Sequence, residues 1–505
     1  MTRHKPLQPG PSQQSNAEWR KDLVTRTGQG ERFAGLYGTA GDDGCLLTAL
    51  LAGAEGIRAS RTWLTSNGDG QLEYSALTPD LPGAFWYERA LHDLSGVVPI
   101  GHPRLDPLLL AREQDSSPPR PGAVAEDGDD TPRSDERVGP VDLGGHGMFT
   151  LPLGPVRSGV MESIELLIET PGEDIPHLNV RPHYKHRGIA KQFEGRAPAD
   201  AVLVAERVEG ISSVAHVLAF CHALEALADV EIPRAAQLVR VVHAELERIG
   251  NHLDVTMKLA DAAGLAVATS RFGWHKETVL RLVSGLCGNR FGRGIIGVGG
   301  LVRPPDPETV RIIDRVRTLQ QGIRSDVAAL ESSASFLDRL RTTGPLTATR
   351  ALEHGTVGPI GRASGVDDDC RRDRPYDAYR ELHGLKIPVL DIGDALARAR
   401  IRWREIDVSG DLIVEAAEAL APQLTGEYVV PVPALQGHGI GWAESAQGEV
   451  VHAVEMQDGL VRRCFARSAS FHNLLLLHDV FDGDIFTDLP FIEASFGLGY
   501  AGVAM

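Results

Sequence analysis

The sequence VRVVHAELERIGNHL, Val239 to Leu253, lies at the centre of a long helical pattern. Apolar residues return there at every third or fourth position, which places them on one face of a helix: Leu238, Val242, Ile249, Leu253 and Met257. A second stripe begins with Asp306 as N-cap and Pro307 at the first helical position, and it carries Val310, Ile313, Val316, Ile323, Val327 and Leu330. Long stripes of this kind predict a helical bundle.

The composition changes between residues 113 and 140, where Pro, Gly, Ser and Asp leave almost nothing to bury. Such a stretch is typical of a disordered linker. We therefore predict an α+β protein with four parts: a disordered N-terminus at 1–31, a small α+β domain at 32–112, an acidic and Pro-rich linker at 113–140, and a large mainly helical domain with a minor β portion at 141–505.

Three local patterns refine this organisation. Thr62 to Leu77 alternates around a Gly-rich turn, which predicts a β-hairpin. Phe85 to Gly96 has the pattern of a short helix that ends at its glycine. Glu449 to Arg467 forms two alternating runs joined by Asp458-Gly459, a strong hairpin signal.

Charge and cysteine usage exclude several classes of function. The 505 residues carry a formal net charge of -17, which argues against nucleic acid as a partner, because phosphate binding needs a concentrated basic face. The five cysteines are scattered and never form a C-x-x-C pair, which favours reduced thiols in a cytoplasmic protein. The apolar stretch Cys45 to Ala54 spans ten residues, whereas a membrane helix needs about 20. We therefore expect no direct membrane span.

Six strings occur in a telling order: GPVRSG from Gly154, HYKHRGIAK (183–191), ERVEGISS (206–213), VRVVHAELERIGNHL (239–253), GPIGRASGVDDDCRRDRPYDAY (358–379) and GIGWAESAQGE (439–449). Through them the chain resembles the catalytic subunit of membrane-bound, energy-converting nickel–iron hydrogenases such as formate hydrogenlyase. That subunit is homologous to the quinone-chamber subunit of respiratory complex I. Residues 85–110 resemble the peripheral-arm partner of the complex I subunit, fused here. The resemblance covers about residues 30 to 505 and implies the hydrogenase large-subunit fold.

The resemblance also marks where a nickel–iron centre would lie. The hydrogenase pattern is R-x-C-x-x-C followed by a C-terminal D-P-C-x-x-C, and its soft thiolates suit nickel and iron. Arg207 matches the first motif, but Glu209 and Ser212 stand at its cysteine positions. Gly499 and Gly502 stand at the second pair. We therefore expect no metal bound by this chain.

Complex I uses the same pocket for a quinone headgroup, held by a tyrosine and a histidine. Gly210 stands at the tyrosine position, and Arg157 and Ser158 lie nearest to the histidine position in a shorter loop. Both usual donors are therefore absent. The resemblance leaves quinone or another carrier open as a ligand, and we expect no cofactor bound by the chain itself.

The residues at these positions predict a polar pocket. We expect Glu209 to lie on a helix beside Arg207, with Ser212 one turn on, and to carry protons or bind a ligand. Arg157 would hold an anionic or carbonyl group. The alternative is that Glu209 pairs with an arginine only to satisfy a buried charge.

Two further clusters are interpreted as structural. His243 and Glu247 lie at i, i+4, a spacing that suits metal ligation, but the mixed charges around them favour a surface face of a helix. Asp367 to Asp369, with Arg371 and Arg372, has the pattern of a solvated loop.

The resemblance implies an oxidoreductase subunit held by its partners on the cytoplasmic side of the inner membrane. An iron–sulfur small subunit would bring a 4Fe-4S cluster up to the pocket, and antiporter-like membrane subunits would lie below. We expect electron transfer at that interface without a nickel–iron centre. Two alternatives stay open: a non-catalytic scaffold subunit of such a complex, and a genuine hydrogenase or formate hydrogenlyase large subunit.

Overall fold

The computed structural model describes residues 15–41, 43–110, 147–157, 162–481 and 483–505. They divide into two compact units. The first extends to Arg187 and includes Glu353–Gly355 and Ala504, and the second takes the other residues from Gly188 onward. The division falls at Arg187 rather than at the predicted residue 141. The predicted linker at 113–140 lies outside the described residues.

The described part of the first unit combines helices with small sheets. Its helices are α1 (Asn16–Gly28) and α2 (Phe85–Ser95). Its strands are β1 (Arg32–Ala40), β2 (Gly44–Gly53), β3 (Gly56–Thr65), β4 (Leu72–Ser75), β5 (Val97–Ile100), β6 (Phe149–Leu153), β7 (Glu165–Thr170) and β8 (His177–Arg181). They form an antiparallel β1-β2-β3 sheet, a parallel β4-β5 pair and an antiparallel β6-β7-β8 sheet.

Helix α1 lies inside the segment predicted to be disordered. Ser15 and Glu18 form a capping box at its start, in which each side chain accepts a hydrogen bond from the other residue's backbone N–H. Trp19 and Leu23 on its inner face are fully buried. The prediction of disorder is therefore wrong for residues 15–31, while residues 1–14 lie outside the described chain.

The predicted hairpin at Thr62 to Leu77 is also wrong. Strand β4 pairs in parallel with β5, and α2 makes the crossover between them. The buried carboxylate of Glu88 on α2 fixes this unit, because it accepts hydrogen bonds from the Tyr74 hydroxyl at 2.6 Å and from the Leu77 and Thr78 N–H groups at 2.7 and 2.9 Å. Helix α2 ends at Gly96 in the left-handed conformation, as predicted.

Long helices dominate the second unit. Its longer helices are α5 (Ser213–Ala228), α6 (Arg234–Ala262), α7 (Ala266–Cys287), α8 (Ile313–Glu331) and α13 (Ala395–Leu420). Shorter helices are α3 (Ile189–Phe193), α4 (Pro198–Ala205), α9 (Ala334–Leu340), α10 (Ala348–Glu353), α11 (Gly358–Ala363), α12 (Cys370–Asp373), α14 (Ala469–Leu474), α15 (Leu489–Phe496) and α16 (Tyr500–Ala504). The strands are β9 (Ile296–Gly297), β10 (Gly300–Leu301), β11 (Gly437–Ser445), β12 (Gly448–Gln457) and β13 (Leu460–Arg467). About 49% of the residues are helical and 19% are in strands, which confirms the α+β class.

Helix α5 lies directly against strand β11 of the antiparallel β11-β12-β13 sheet. A Cβ at Gly439 would lie 2.0 Å from the Ala223 carbonyl oxygen, and one at Gly441 would lie 2.1 Å from the Ala219 oxygen. Only glycine permits this approach of strand to helix. The predicted hairpin through Asp458 and Gly459 is confirmed, with both residues at positive φ.

The helical prediction for Val239 to Leu253 is confirmed, but the charged residues of this helix are buried rather than on the surface. Glu245 and Arg248 on α6 are less than 2% exposed, and so are Arg371, Arg362, Asp369 and Glu405. Arg371 donates to Glu245 at 3.1 Å and to Asp369 at 2.7 Å. Arg362 donates to Glu405 at 3.0 Å. The interpretations of a surface face at 243–247 and a solvated loop at 367–372 are therefore wrong for these residues, although Arg372 does lie near the surface.

The segment Gly210–Ala228, which contains α5, is long and apolar enough to cross a membrane, with a mean hydropathy of 1.5. Within the fold, however, 72% of that window is buried. A helix at the centre of a globular core has the same composition, so this is weak evidence for a membrane span.

The burial of α1 predicts a specific effect on stability. Leu23→Ala should lower the free energy of unfolding of the first unit by about 2–5 kcal/mol, the usual cost of truncating a fully buried leucine. The matched variant Lys21→Ala, on the exposed face of the same helix, should change it by less than about 0.5 kcal/mol. Hydrogen exchange of the α1 and β3 amides under increasing urea measures both. Equal exchange in the two variants would contradict the packing of α1.

Candidate active site

Glu209 lies in the segment that joins α4 to α5. Its backbone is extended, with φ -146° and ψ 127°, and a single 3-10 turn at Gly210–Ser212 leads from it into α5. It is therefore not on a helix, contrary to the prediction. Its side chain lies in the interior, where the residue is only 1% exposed.

Three serine hydroxyls surround the Glu209 carboxylate. Ser212 donates to Oε2 at 2.7 Å, Ser468 donates to the same oxygen at 2.8 Å, and Ser470 donates to Oε1 at 2.5 Å. All three serines are fully buried. Ser468 and Ser470 lie where β13 passes into α14, so the carboxylate joins two distant segments of the chain. We call Glu209, Ser212, Ser468 and Ser470 the carboxylate cage.

The C-terminal segment closes this cage through residues without side chains. Gly499 donates its backbone N–H to the Ser470 hydroxyl at 3.0 Å. A Cβ at Gly499 would lie 2.3 Å from Glu209 Oε1, and a Cβ at Gly502 would lie 2.7 Å from Glu209 Cδ and 2.5 Å from Ser468 Oγ. The four positions that resemble hydrogenase ligand positions are thus brought together, and the Glu209 carboxylate fills the space between them.

A line of buried polar groups extends inward from the cage. His216 on α5 lies with Nε2 3.7 Å from Glu209 Oε2 and with Nδ1 2.9 Å from His452 Nε2. His452 Nδ1 in turn lies 3.5 Å from the sulfur of Cys464. Burial holds the pKa of His452 well below its ordinary value and raises the pKa of the Cys464 thiol. The thiol therefore stays protonated and can donate to the neutral His452, which leaves the His452 Nε2–H free to donate to His216.

The cage holds Glu209 in its ionised form. Burial alone would raise the pKa of this carboxyl, but the imidazole of His216 and the hydroxyls of Ser470 and Ser212 outweigh it and lower the pKa. A carboxylate that accepts several hydrogen bonds is stabilised in the charged state. At neutral pH the site thus presents a buried, fixed negative charge.

The other predicted site residues do not join the cage. Arg207 points outward, with its side chain 54% exposed, and donates to the Leu203 carbonyl at 2.6 Å and to Glu206 at 3.4 Å. Within the described part of the chain no arginine contacts the Glu209 carboxylate, so the arginine pair is wrong as well. Arg157 is half-buried in the first unit, shortly after β6. Its proposed role stays a prediction, and Ser158 lies outside the described residues.

The donor set does not fit a nickel–iron centre. One carboxylate and three hydroxyls are hard oxygen donors, Gly499 and Gly502 offer no side chain, and soft metals need thiolates. Across the described ranges, no three His, Cys, Asp or Glu side chains converge in a way that could hold a metal ion. The nearest cysteine on the polar line is Cys464, which is separated from Glu209 by two histidines.

Sequence reasoning missed His216, His452, Ser468 and Ser470. His216 follows Ser212 at i+4, so a helix assigned to the segment after Ser212 would have placed it toward the same site. The two serines lie 259 and 261 residues away from Glu209. No local pattern joins residues so far apart.

Three protein-family models match the sequence. The model of the 49 kDa subunit of respiratory-chain NADH dehydrogenase matches residues 266–436, that of the 30 kDa subunit matches residues 46–126, and that of the nickel-dependent hydrogenases matches residues 187–255. The order of these matches agrees with the fused organisation predicted from residues 85–110 together with the six strings. The 30 kDa model extends into residues that the structure does not describe.

Individual relatives agree with the models. An NADH-quinone oxidoreductase subunit of Deinococcus radiodurans is 30% identical over 377 residues, which cover 69% of this chain and 94% of the relative. Formate hydrogenlyase subunit 5 of Escherichia coli is 25% identical over 449 residues, which cover 87% of this chain and 78% of the relative. A chain from the structure of the membrane-bound sulfane sulfur reductase, an archaeal respiratory membrane complex, matches with a TM-score of 0.66 and 25% identity, over 72% of this chain and all of that one.

A double-mutant cycle tests whether Glu209 occupies the space beside Gly499. Gly499→Ala should lower the free energy of unfolding by about 1–3 kcal/mol, because the new methyl group overlaps the carboxylate. In a Glu209→Ala background the same change should cost much less, with a coupling above about 1 kcal/mol. Gly210→Ala is the matched control, since a Cβ there meets nothing within 4 Å. An equal cost of Gly499→Ala in both backgrounds would disprove the overlap.

The lowered pKa of Glu209 predicts a pH dependence. Its ionised form stabilises the fold above its ordinary pKa of 4.5, and this contribution is lost as the pH falls through the lower folded pKa. The stability difference between wild type and Glu209→Gln should thus be constant above about pH 5.5 and shrink below about pH 4.5. Urea unfolding across this range measures it, with Glu418→Gln on an exposed glutamate as control. A difference that grows with acidity would contradict the assignment.

Proposed function

The chain belongs to the family that unites the 49 kDa subunit of NADH-quinone oxidoreductase with the large subunits of membrane-bound hydrogenases, and from that membership we propose that it is a subunit of a membrane-associated oxidoreductase complex. In this proposal the chain takes part in electron transfer beside an iron–sulfur cluster that a partner subunit carries. It has no nickel–iron centre of its own. The relatives include subunits of membrane-bound hydrogenase, formate hydrogenlyase and NADH-quinone oxidoreductase.

One observation supports the absence of nickel–iron chemistry more than any other. The positions of the four thiolates are held by Glu209, Ser212 and two glycines, and the Glu209 carboxylate occupies the space that the metals would need. Carboxylate and hydroxyl groups do not exchange electrons under biological conditions. Electrons that reach this pocket must therefore pass between groups carried by partners or by a diffusible carrier such as a quinone.

The fixed charge of Glu209 gives the pocket an electrostatic role. A buried negative charge close to a cluster disfavours the extra electron of the reduced form and lowers the reduction potential. The 4Fe-4S cluster that we propose for the partner would thus be tuned by a carboxylate in place of the charged metal centre. The iron–sulfur partner, together with antiporter-like membrane subunits, would also attach this chain to the cytoplasmic side of the membrane.

The cage also favours a second candidate function, a scaffold subunit without an active site. Three hydroxyls donate to the Glu209 carboxylate, and the residue is only 1% exposed. The lowered pKa leaves Glu209 a poor proton donor near neutral pH, which weakens the proton-carrier role expected from the sequence. In this second function the carboxylate simply locks the C-terminal segment in place.

Glu209→Gln in the assembled complex distinguishes the two functions. If the pocket is active, the loss of the charge should raise the midpoint potential of the partner cluster and should lower turnover, because Glu209 no longer tunes that cluster. If the chain is a scaffold, turnover and potential should equal those of the wild type. Glu418→Gln, on the surface of the same unit, controls for the substitution itself.

Metal analysis of the same anaerobically purified complex tests the premise. We expect no nickel bound by this chain, because the cage offers hard oxygen donors only. One nickel atom per chain would refute both functions and identify a genuine hydrogenase subunit. Unchanged turnover together with normal assembly would eliminate the active pocket and leave the scaffold function.

A further inference from the structure

His222 on α5 faces an oxygen acceptor at each of its two ring nitrogens. Its Nδ1 lies 2.9 Å from the Trp442 carbonyl oxygen on β11, and its Nε2 lies 2.9 Å from Asp377 Oδ2. A carbonyl oxygen only accepts hydrogen bonds, and so does an ionised carboxylate. A neutral imidazole would leave the lone pair of one nitrogen against an oxygen. The geometry is therefore that of an imidazolium, which donates from both nitrogens.

The buried charges around His222 balance only when its ring is protonated. Arg240 on α6 is fully buried and donates to Glu225 at 2.6 Å and to Asp377 at 3.2 Å. Glu225 lies on α5, three residues after His222, and its side chain is 6% exposed. Two carboxylates thus face one guanidinium. The imidazolium supplies the second positive charge, and a buried charge without a partner would be costly.

The other titratable neighbours add no charge. The ring of Tyr376 lies 5.0 Å from the ring of His222, centroid to centroid, and burial raises the pKa of its hydroxyl well above the ordinary value. Burial also raises the pKa of the adjacent Cys221 thiol. For His222 itself, burial lowers the pKa, but the charges of Asp377 and Glu225 outweigh it and raise the pKa above the ordinary value.

His222 lies where α5 packs directly against β11. The hydrogen bond to Trp442 runs between these two elements, and the bond to Asp377 reaches the 3-10 turn Asp377–Arg380. The His222 side chain is 14% exposed, so the ring can exchange its proton with water. One imidazolium therefore joins three segments of the second unit and still responds to the solvent.

We propose that His222 is a pH-sensitive lock: its imidazolium form bonds α5 to β11 and to Asp377, and loss of one proton to water at alkaline pH releases the Trp442 carbonyl oxygen. The neutral ring keeps its hydrogen on Nε2, because a carboxylate is a stronger acceptor than a carbonyl group. Nδ1 then presents a lone pair to the carbonyl oxygen, and the two repel. The contact between α5 and β11 loosens in consequence.

NMR of the full-length chain, with carbon-13 at histidine Cε1, measures the charge of the ring. The His222 signal, identified by its loss in His222→Gln, should titrate with a midpoint above pH 6.5, the ordinary value. Asp377→Asn should lower that midpoint by at least about one pH unit, because the carboxylate charge is lost and an amide can donate to the neutral ring. Asparagine also tolerates the φ of 44° at this position.

The matched control for this titration is His383→Gln, on an exposed histidine of the same unit. It should leave the His222 midpoint where it is in the wild type. A His222 signal that titrates at or below pH 6.5 in the wild type would overturn the proposal, and so would a midpoint that Asp377→Asn leaves unchanged.

Hydrogen exchange of the α5 and β11 amides tests whether protonation holds the two elements together. Because the folded pKa is raised, the contribution of His222 to stability is complete below its ordinary pKa and is lost as the pH rises through the folded value. Relative to His222→Gln, the opening constant of the wild type should therefore rise by up to about tenfold per pH unit above pH 6.5 and then level off. A ratio that does not change with pH would refute the lock. Neither measurement depends on the redox function proposed above.

Discussion

Buried arginines paired with carboxylates are the constraint on which the second unit depends. Arg362, Arg371 and Arg248 connect α6, α11, α12 and α13 through shared acidic partners in a region that water does not reach. Removing one member of such a set leaves an uncompensated buried charge, which costs about 3–5 kcal/mol. The pairs therefore fix how these helices meet, even though hydrophobic packing provides most of the stabilisation.

Buried arginines also hold both segments that close over Glu209. Arg467 is fully buried and donates to Glu449 at 2.6 Å, which fixes the end of β13 immediately before Ser468. Arg402 donates to the Phe496 carbonyl oxygen at 2.7 Å and so anchors the chain before Gly499. The carboxylate cage thus adopts its geometry because one ion pair and one arginine–carbonyl hydrogen bond outside it hold its walls. In this chain the pocket is organised by hydrogen bonds to Glu209 and by the buried ion pair of Arg467 with Glu449.

Periodicity in the sequence predicted the long helices α6 and α8, since these need only local apolar spacing to form. It failed for Glu245 and Arg371, because a charged residue in a helical pattern is normally assigned to the surface and only distant partners make its burial favourable. The capping box at Ser15 and Glu18 is a local signal for α1, but the polar composition of the preceding residues led to a prediction of disorder. Strand β4 pairs with β5, which follows α2 in the sequence. The Gly-rich turn before β4 contains no signal for this non-local pairing.

The candidate site, too, could be predicted from the sequence only in part. The family resemblance placed Glu209, Ser212, Gly499 and Gly502 at one point, and the structure brings them together there. The resemblance did not point to Ser468 and Ser470, whose hydroxyls stabilise the carboxylate. An arginine partner was also suggested for Glu209, but no described arginine contacts its carboxylate. Chemistry that depends on hydrogen bonds between segments more than 250 residues apart becomes visible only in three dimensions.

The absence of side chains at Gly499 and Gly502 also limits how this protein can change over evolutionary time. A cysteine introduced at either position would collide with Glu209, so the first step toward a thiolate site is disfavoured while the glutamate is present. Glu209 would have to be replaced first, and that step leaves three buried serines without their shared acceptor. Each of these single substitutions therefore passes through a less stable intermediate on the way to a thiolate site.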